Sequence, residues 1–279
     1  MDKGYLELIL YSLFVGTVGV FVRLVHGLDV YSIIFYRALI GMLFILAVVV
    51  LRDRVRELSL VHPGKTLLVG VVQGFGILTY FSAVMRTSIS NAIFLLYTAP
   101  IFSAILARIF FKERIERETV TGIVLTLTGI VLILNPASFS FDSKETVGNI
   151  LGLISGFLYA AMALTAKPLM KKAPGYYTAF WQQAVMAVMF LFFFRAESAS
   201  AALGNWWQLL AMGILCTGIA FILFMEGAGK VKAQKIFIIT ALEPLIGTAA
   251  ALLVLGEMPP PLTLIGAALI IYGVYRTTR

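Results

Sequence analysis

Long apolar runs separated by short polar stretches set the pattern of this chain. They cover roughly residues 5–25, 30–51, 65–85, 90–111, 117–134, 148–168, 176–194, 206–226, 233–255 and 262–277. A helix needs about 20 residues to cross a bilayer. Runs this long and this continuously apolar predict helices, because a helix satisfies its backbone groups within the segment and a lone lipid-facing strand does not. The pattern therefore predicts an all-α integral membrane protein with ten transmembrane helices. The first run has no small-residue cleavage site after a short apolar core, so it is expected to stay in the mature protein.

The polar and special residues inside the runs recur at a single offset. Tyr97-Thr98-Ala99-Pro100 in the fourth run is followed by Lys112-Glu113-Arg114, and 144 residues later Ala241-Leu242-Glu243-Pro244 is followed by Gly256-Glu257-Met258. At the same offset Gly74 meets Gly218, Ala107 meets Ala251, Gly122 meets Gly266 and Gly129 meets Gly273. Glycine and proline mark close helix approach and broken backbone bonds, so their coincidence is informative. The chain reads as two copies of one unit, residues 1–140 and 141–279, with Asn135-Pro136-Ala137-Ser138 opening the linker. Five helices per copy is an odd number, so the second copy enters the membrane from the opposite side and the repeats are inverted.

Charge gives the orientation. With the N-terminus inside, 17 Lys and Arg residues fall on the inner face, and four on the outer: Arg23, Arg86, Lys144 and Arg195. Both termini are expected in the cytoplasm. The turn Thr87-Ser88-Ile89-Ser90-Asn91 and its inner counterpart Val231-Lys232-Ala233-Gln234-Lys235 differ in the same sense. Glu113 is flanked by basic residues and Glu257 is not, so the glutamate repeats while the lysines follow the membrane side. Both glutamates are expected to do a structural job, meeting free N–H groups at the starts of the fifth and tenth helices.

Composition agrees with the pattern. The 279 residues are 60% hydrophobic and 13% charged, with a mean hydropathy of +0.96. That much apolar surface does not fit inside a soluble domain of this length. The net charge of +8 is spread over short loops beside apolar runs, which makes it a topology signal and excludes a nucleic-acid face. The lone Cys216 excludes an internal disulfide and reads as a small core residue. His26 and His62 fall in loops at different depths, so neither a metal site nor an enzyme's nucleophile–base pair is expected. No cofactor motif and no Gly-x-x-x-x-Gly-Lys-[Ser/Thr] motif occurs. The longest loops are too short to fold alone, so function must lie between helices.

The candidate chemistry is therefore at membrane depth. Pro100 and Pro244 lie near the middles of their runs, where each removes a backbone donor and frees the carbonyl four residues earlier, Leu96 or Thr240. Two mirrored breaks point to a polar spot on the pseudo-two-fold axis, or to packed kinks alone. Glu243 beside the second break is the carboxylate deepest in the membrane, with three roles open: a proton site, a ligand for a substrate amine, or the partner of Arg37. Arg37 would attract an anionic group or pair with a carboxylate. Glu7, Arg23, Arg108, Lys167 and Glu226 are expected as solvated interface residues. Tyr80, Tyr97, Tyr159 and Trp181 with Gln182 would wall an amphipathic pocket, among other deep aromatics that include Tyr11.

The ten-run inverted repeat, Ala99-Pro100 and Glu243-Pro244, the following Glu113 and Glu257, and Tyr80-Phe81-Ser82-Ala83 at the end of the third run resemble the EamA family of the drug/metabolite transporter superfamily. The resemblance covers essentially the whole chain. It implies a multi-pass secondary carrier of the prokaryotic inner (plasma) membrane, an exporter with relatives that move amino acids or other small metabolites, the substrate being held between the halves. Arg23 and Lys167 match at the offset but lie near helix ends, so the resemblance carries over no coupling residue. Expected partners are the bilayer, a small substrate and protons, with the chain a monomer or homodimer. A passive channel or lipid scramblase on the same architecture is the alternative.

Overall fold

The computed structural model describes residues 2–60, 62–87, 89–134, 145–194, 198–259 and 261–278, and every regular element among them is helical. In chain order these are α1 (Lys3–Gly16), α2 (Val18–Arg23), α3 (Val30–Leu51), α4 (Pro63–Val84), α5 (Ile89–Leu96), α6 (Ala99–Phe111), α7 (Arg117–Ile133) and α8 (Thr146–Met170). The rest are α9 (Gly175–Leu191), α10 (Ser198–Gly204), α11 (Trp206–Gly213), α12 (Ala220–Lys230), α13 (Ala233–Thr240), α14 (Glu243–Leu255) and α15 (Thr263–Thr278). A 3₁₀ turn covers Val55–Leu58, and a π-helical turn at Ile214–Ile219 joins α11 to α12. Ser88, the linker Asn135–Ser138, the boundary near residue 140, Lys144, Arg195 and Arg279 lie outside the described residues.

Seven stretches among the described residues are long and apolar enough to cross a membrane: Lys3–Arg23, Val30–Leu51, Pro63–Val84, Asn91–Phe111, Thr146–Met170, Trp206–Lys230 and Ala233–Leu255. The other three apolar runs are the shorter helices α7, α9 and α15, of 17, 17 and 16 residues. Two departures from the hydropathy pattern stand out. The first run is interrupted at Thr17, where no proline predicts a break, and the connection before Trp206 contains α10.

The prolines act where their chemistry allows. Each sits in the first turn of a helix, in α6 and α14, where a missing N–H costs no intrahelical bond. The breaks are therefore short αR turns at Thr98 (φ −73°, ψ −6°) and Ala241 (φ −61°, ψ −4°) with no extended stretch. The two second halves also end alike. Lys112 and Gly256 both take the left-handed conformation, at φ 55° and φ 69°. The amides of Glu113 and Glu257 then reach back to Ala107 O and Ala251 O, each at 3.3 Å. Glycine is the natural residue for that cap, and Lys112 adopts it in the other copy.

Contacts between the two copies hold the bundle together: α4 lies on α8, α7 on α15 and α3 on α9. Gly129 and Gly266 face one another so closely that a Cβ on either would lie 2.6 Å from the other's carbonyl oxygen. In lipid such close backbone approach takes over from hydrophobic burial as the source of packing energy. The two broken helices are treated unequally. α6 packs directly on α13, whereas their counterparts α14 and α5 stand apart with a cavity between them.

Candidate functional site

A cavity of about 510 Å³ lies between α5, α14, α2 and the end of α1, with Tyr80 of α4 also in its wall. Its floor is the break beside Tyr97, Glu243 and Pro244, and its mouth is at Arg23, Glu257 and Met258. The floor is polar because helix α14 begins there with Glu243. Tyr97 Oη donates to Glu243 Oε2 (3.1 Å), Tyr159 Oη to Glu243 Oε1 (3.5 Å), and Tyr11 Oη shares a hydrogen bond with Tyr159 Oη (2.8 Å). Glu243, Tyr97 and Tyr11 are all buried. Phe237 stands edge-on to Tyr159 at 4.6 Å, and Phe224 packs on Tyr11 at 4.9 Å. A carboxylate thus sits in an aromatic cup, holding two phenol hydrogen bonds, and no ion pair to it occurs among the described residues. Such a cup suits a cationic group, which gains both charge pairing and contact with ring faces.

Close backbone approach positions this floor. A Cβ on Gly16 would lie 2.9 Å from Glu243 O and 2.8 Å from Ile246 Cβ. At the other break a Cβ on Gly156 would lie 2.6 Å from Leu95 O and 2.8 Å from Thr98 Oγ1. Each copy therefore presses a glycine of its first membrane-spanning stretch against the break carried by the other copy.

Arg37 lies within electrostatic reach of Glu243, Tyr11 and Tyr159. Its Nε donates to Thr217 Oγ1 (2.9 Å) in the π-helical turn, and no ion pair joins it to Glu243. Of the roles open to Glu243, direct pairing with Arg37 is thus absent here. Tyr80 lines the cavity and packs on Phe81. Pro100 is buried beside the first break. Trp181 is elsewhere: its Nε1 donates to Leu58 O (3.0 Å), tying α9 to the 3₁₀ turn. Gln182 is fully buried, and its amide has no hydrogen-bond partner among the described residues.

Several interface expectations are corrected. Lys167 is buried, donates to Val231 O, and lies 4.0 Å from Glu113. Glu7 is also buried, where Lys230 Nζ donates to both its oxygens at 2.6 and 2.7 Å. Glu226 Oε1 accepts from the Gly175 amide at the start of α9 (2.6 Å). Glu113 accepts from the amide of Ala233 at the start of α13 (3.3 Å) and not, as expected, from one at the start of α7. Glu257 pairs with Arg23. Arg23 and Arg108 are exposed. Tyr11, Phe237 and Thr217 complete the site without a distinguishing local signal beyond their depth in apolar runs.

Comparison with known proteins follows the same repeat. The sequence profile of the EamA-like transporter family matches residues 2–135 and again 146–279. An uncharacterised transporter of Archaeoglobus fulgidus is 32% identical over 98% of this chain and 96% of its own length. The pseudopaline exporter CntI of Pseudomonas aeruginosa is 25% identical over 89% of this chain and 86% of its own. A probable terminal-alkyne amino-acid exporter of Streptantibioticus cattleyicolor is 26% identical over 68% and 64%. A solved crystal structure superposes with a TM-score of 0.84 at 19% identity, covering 99% of this chain and 96% of that one, a likeness of fold alone. Two full matches to one family profile, on a chain with several membrane-crossing helices, make this multi-pass membrane protein a member of the EamA-like transporter family.

Proposed function

We propose that this protein is a secondary exporter of small metabolites that bear a cationic amine and an apolar part, working by alternating access at the Glu243 floor. In this reading all ten apolar runs cross the inner membrane as two inverted five-helix repeats, meeting near residue 140. Both termini are cytoplasmic, and one chain suffices for a cycle. The observation that carries the proposal is the carboxylate of Glu243, buried at a helix break, held by tyrosines, and lining the cavity that also holds Arg23 and Glu257. A carboxylate that trades a proton for a substrate amine couples the two fluxes, because the site favours one positive charge at a time. The exporters of pseudopaline and of a terminal-alkyne amino acid among the relatives support a substrate of this class. The direct packing of α6 on α13 closes the far end, which favours a carrier over an open channel.

Proteoliposome uptake of a labelled panel of amino acids and amine metabolites, with and without a pH gradient, tests the proposal. Saturable, gradient-driven flux lost in Glu243→Gln is expected. Gradient-driven flux unchanged by Glu243→Gln removes the carboxylate from coupling. Flux that never saturates replaces the carrier with a channel or scramblase.

A further inference from the structure

The closed end of the molecule supplies a template for closing the open one. At the closed end Lys167 Nζ donates to Val231 O and stands 4.0 Å from Glu113, whose carboxylate accepts from the Ala233 amide (3.3 Å). Ser103 Oγ donates to Ala233 O (2.7 Å) and Gln234 Nε2 to Arg114 O (3.0 Å), stitching α6 and the loop after it to the start of α13. Lys167 and Glu113 side chains are only 8% and 17% exposed.

Moving 144 residues back, or forward, lands on matching chemistry at the other end. Lys167 becomes Arg23, Glu113 becomes Glu257, and Val231 and Ala233 become Thr87 and Ile89. Arg23 and Glu257 are indeed in contact, but their side chains are 59% and 46% exposed and line the cavity mouth. Among the described residues Thr87 makes no hydrogen bond to either of them. Thr87 Oγ1 instead hydrogen-bonds Asn149 Oδ1 (2.8 Å) and Glu145 Oε2 (2.9 Å) at the start of α8. The turns are nevertheless mounted alike: a Cβ on Gly4 would lie 2.8 Å from Lys230 Cβ, and one on its counterpart Gly148 would lie 2.7 Å from Arg86 C and 2.8 Å from Thr87 Cβ.

We infer that Arg23, Glu257 and the Thr87 turn form a second seal, undocked in this structure, whose closed form copies the Lys167–Glu113 seal. In the closed form Arg23 donates to the Thr87 carbonyl, and Glu257 accepts from the Ile89 amide. The inference rests on the alternating-access reading above and assigns its two gates. The broken helices are the moving parts. When α5 closes on α14 the pseudo-two-fold relation requires α6 to leave α13, so the seals alternate. An ordinary exposed ion pair would contribute little to anything and would not be linked to events at the far end.

The test uses single-cysteine reporters in a Cys216→Ala chain, in membrane vesicles, with N-ethylmaleimide as the probe. Ser103→Cys reports the closed end, where Ser103 is fully buried, and Thr248→Cys reports the cavity wall. Glu113→Gln is expected to speed labelling of Ser103→Cys several-fold and to slow that of Thr248→Cys. Glu257→Gln is expected to do the reverse. Shifts of the same sign from both substitutions, or none from either, overturn the inference. Should either glutamine variant fail to fold, the pair Thr87→Cys and Glu257→Cys is treated with a short bifunctional thiol reagent. Bridging supports the second seal, and an unbridged pair at saturating reagent overturns it. Neither readout needs a substrate, so loss of this seal and loss of coupling at Glu243 are separate results.

Discussion

At the scale of single residues, Glu243 is held by two unequal phenol hydrogen bonds, 3.1 Å from Tyr97 and 3.5 Å from Tyr159. A hydrogen bond to a charged group is worth about 1.5–3 kcal/mol, which is roughly a tenfold change or more. Tyr97→Phe is expected to lower the initial rate of gradient-driven flux by about tenfold, and Tyr159→Phe by less; equal losses would contradict the geometry. Outside the membrane, Glu116 accepts from Lys232 and lies 3.5 Å from Lys235. Those lysines, Lys232 first, hold its carboxyl below the usual carboxylate range, and Glu116 in turn raises the ammonium of Lys232. A depressed carboxyl contributes stability that is present above its unfolded value and lost as the pH falls through the folded one. Thermal melts in detergent should therefore show wild type losing more between pH 7 and pH 3 than Glu116→Gln does. Glu243 and Tyr97 were legible in the sequence because a carboxylate and a phenol beside a proline break have few bland uses at membrane depth. Trp181, Gln182, Lys167 and Glu7 were not, since depth along a helix does not tell which face a side chain occupies or which loop folds over it.

At the scale of elements, the proline breaks were legible from composition, whereas the break at Thr17 and the π-helical turn at Ile214–Ile219 carry no local signal. Both are set by what packs on them. Gly16 presses on the first turn of α14, and Gly41 and Thr217 approach so closely that a Cβ on the glycine would lie 2.7 Å from the threonine methyl. Gly16→Ala is expected to push α14 and Glu243 aside, at about 1–3 kcal/mol for overpacking. It should cost most of the flux and lower the melting temperature. Gly19, three residues on, has nothing within 4 Å of an added Cβ and lines the cavity, so Gly19→Ala should leave the melting temperature unchanged. A melt that falls equally in both variants would refute the close approach at Gly16.

At the scale of the whole molecule, the scaffold is duplicated and its chemistry is not. The left-handed caps at Lys112 and Gly256, the breaks at Tyr97-Thr98 and Ala241-Leu242, and the paired charges Lys167–Glu113 and Arg23–Glu257 all repeat at one offset. That is why the two-fold repeat was readable from glycines, prolines and glutamates. The site was less so, because Glu243 answers to Ala99, Tyr97 to Ala241 and Tyr11 to Ser155. The orientation is testable directly: an impermeant maleimide applied to intact cells should label Glu257→Cys in the Cys216→Ala chain and leave Lys112→Cys unlabelled, and the opposite result would invert the topology. The lone carboxylate at the floor also sets a thermodynamic ceiling. In the proposed exchange one carboxylate gives room for one proton per turnover, so a pH difference of one unit, worth about 1.4 kcal/mol, sustains at most about a tenfold gradient of a substrate that moves in exchange for it. Trading one positive charge for another moves no net charge, so the membrane potential adds nothing and steeper expulsion requires that the outside stay dilute.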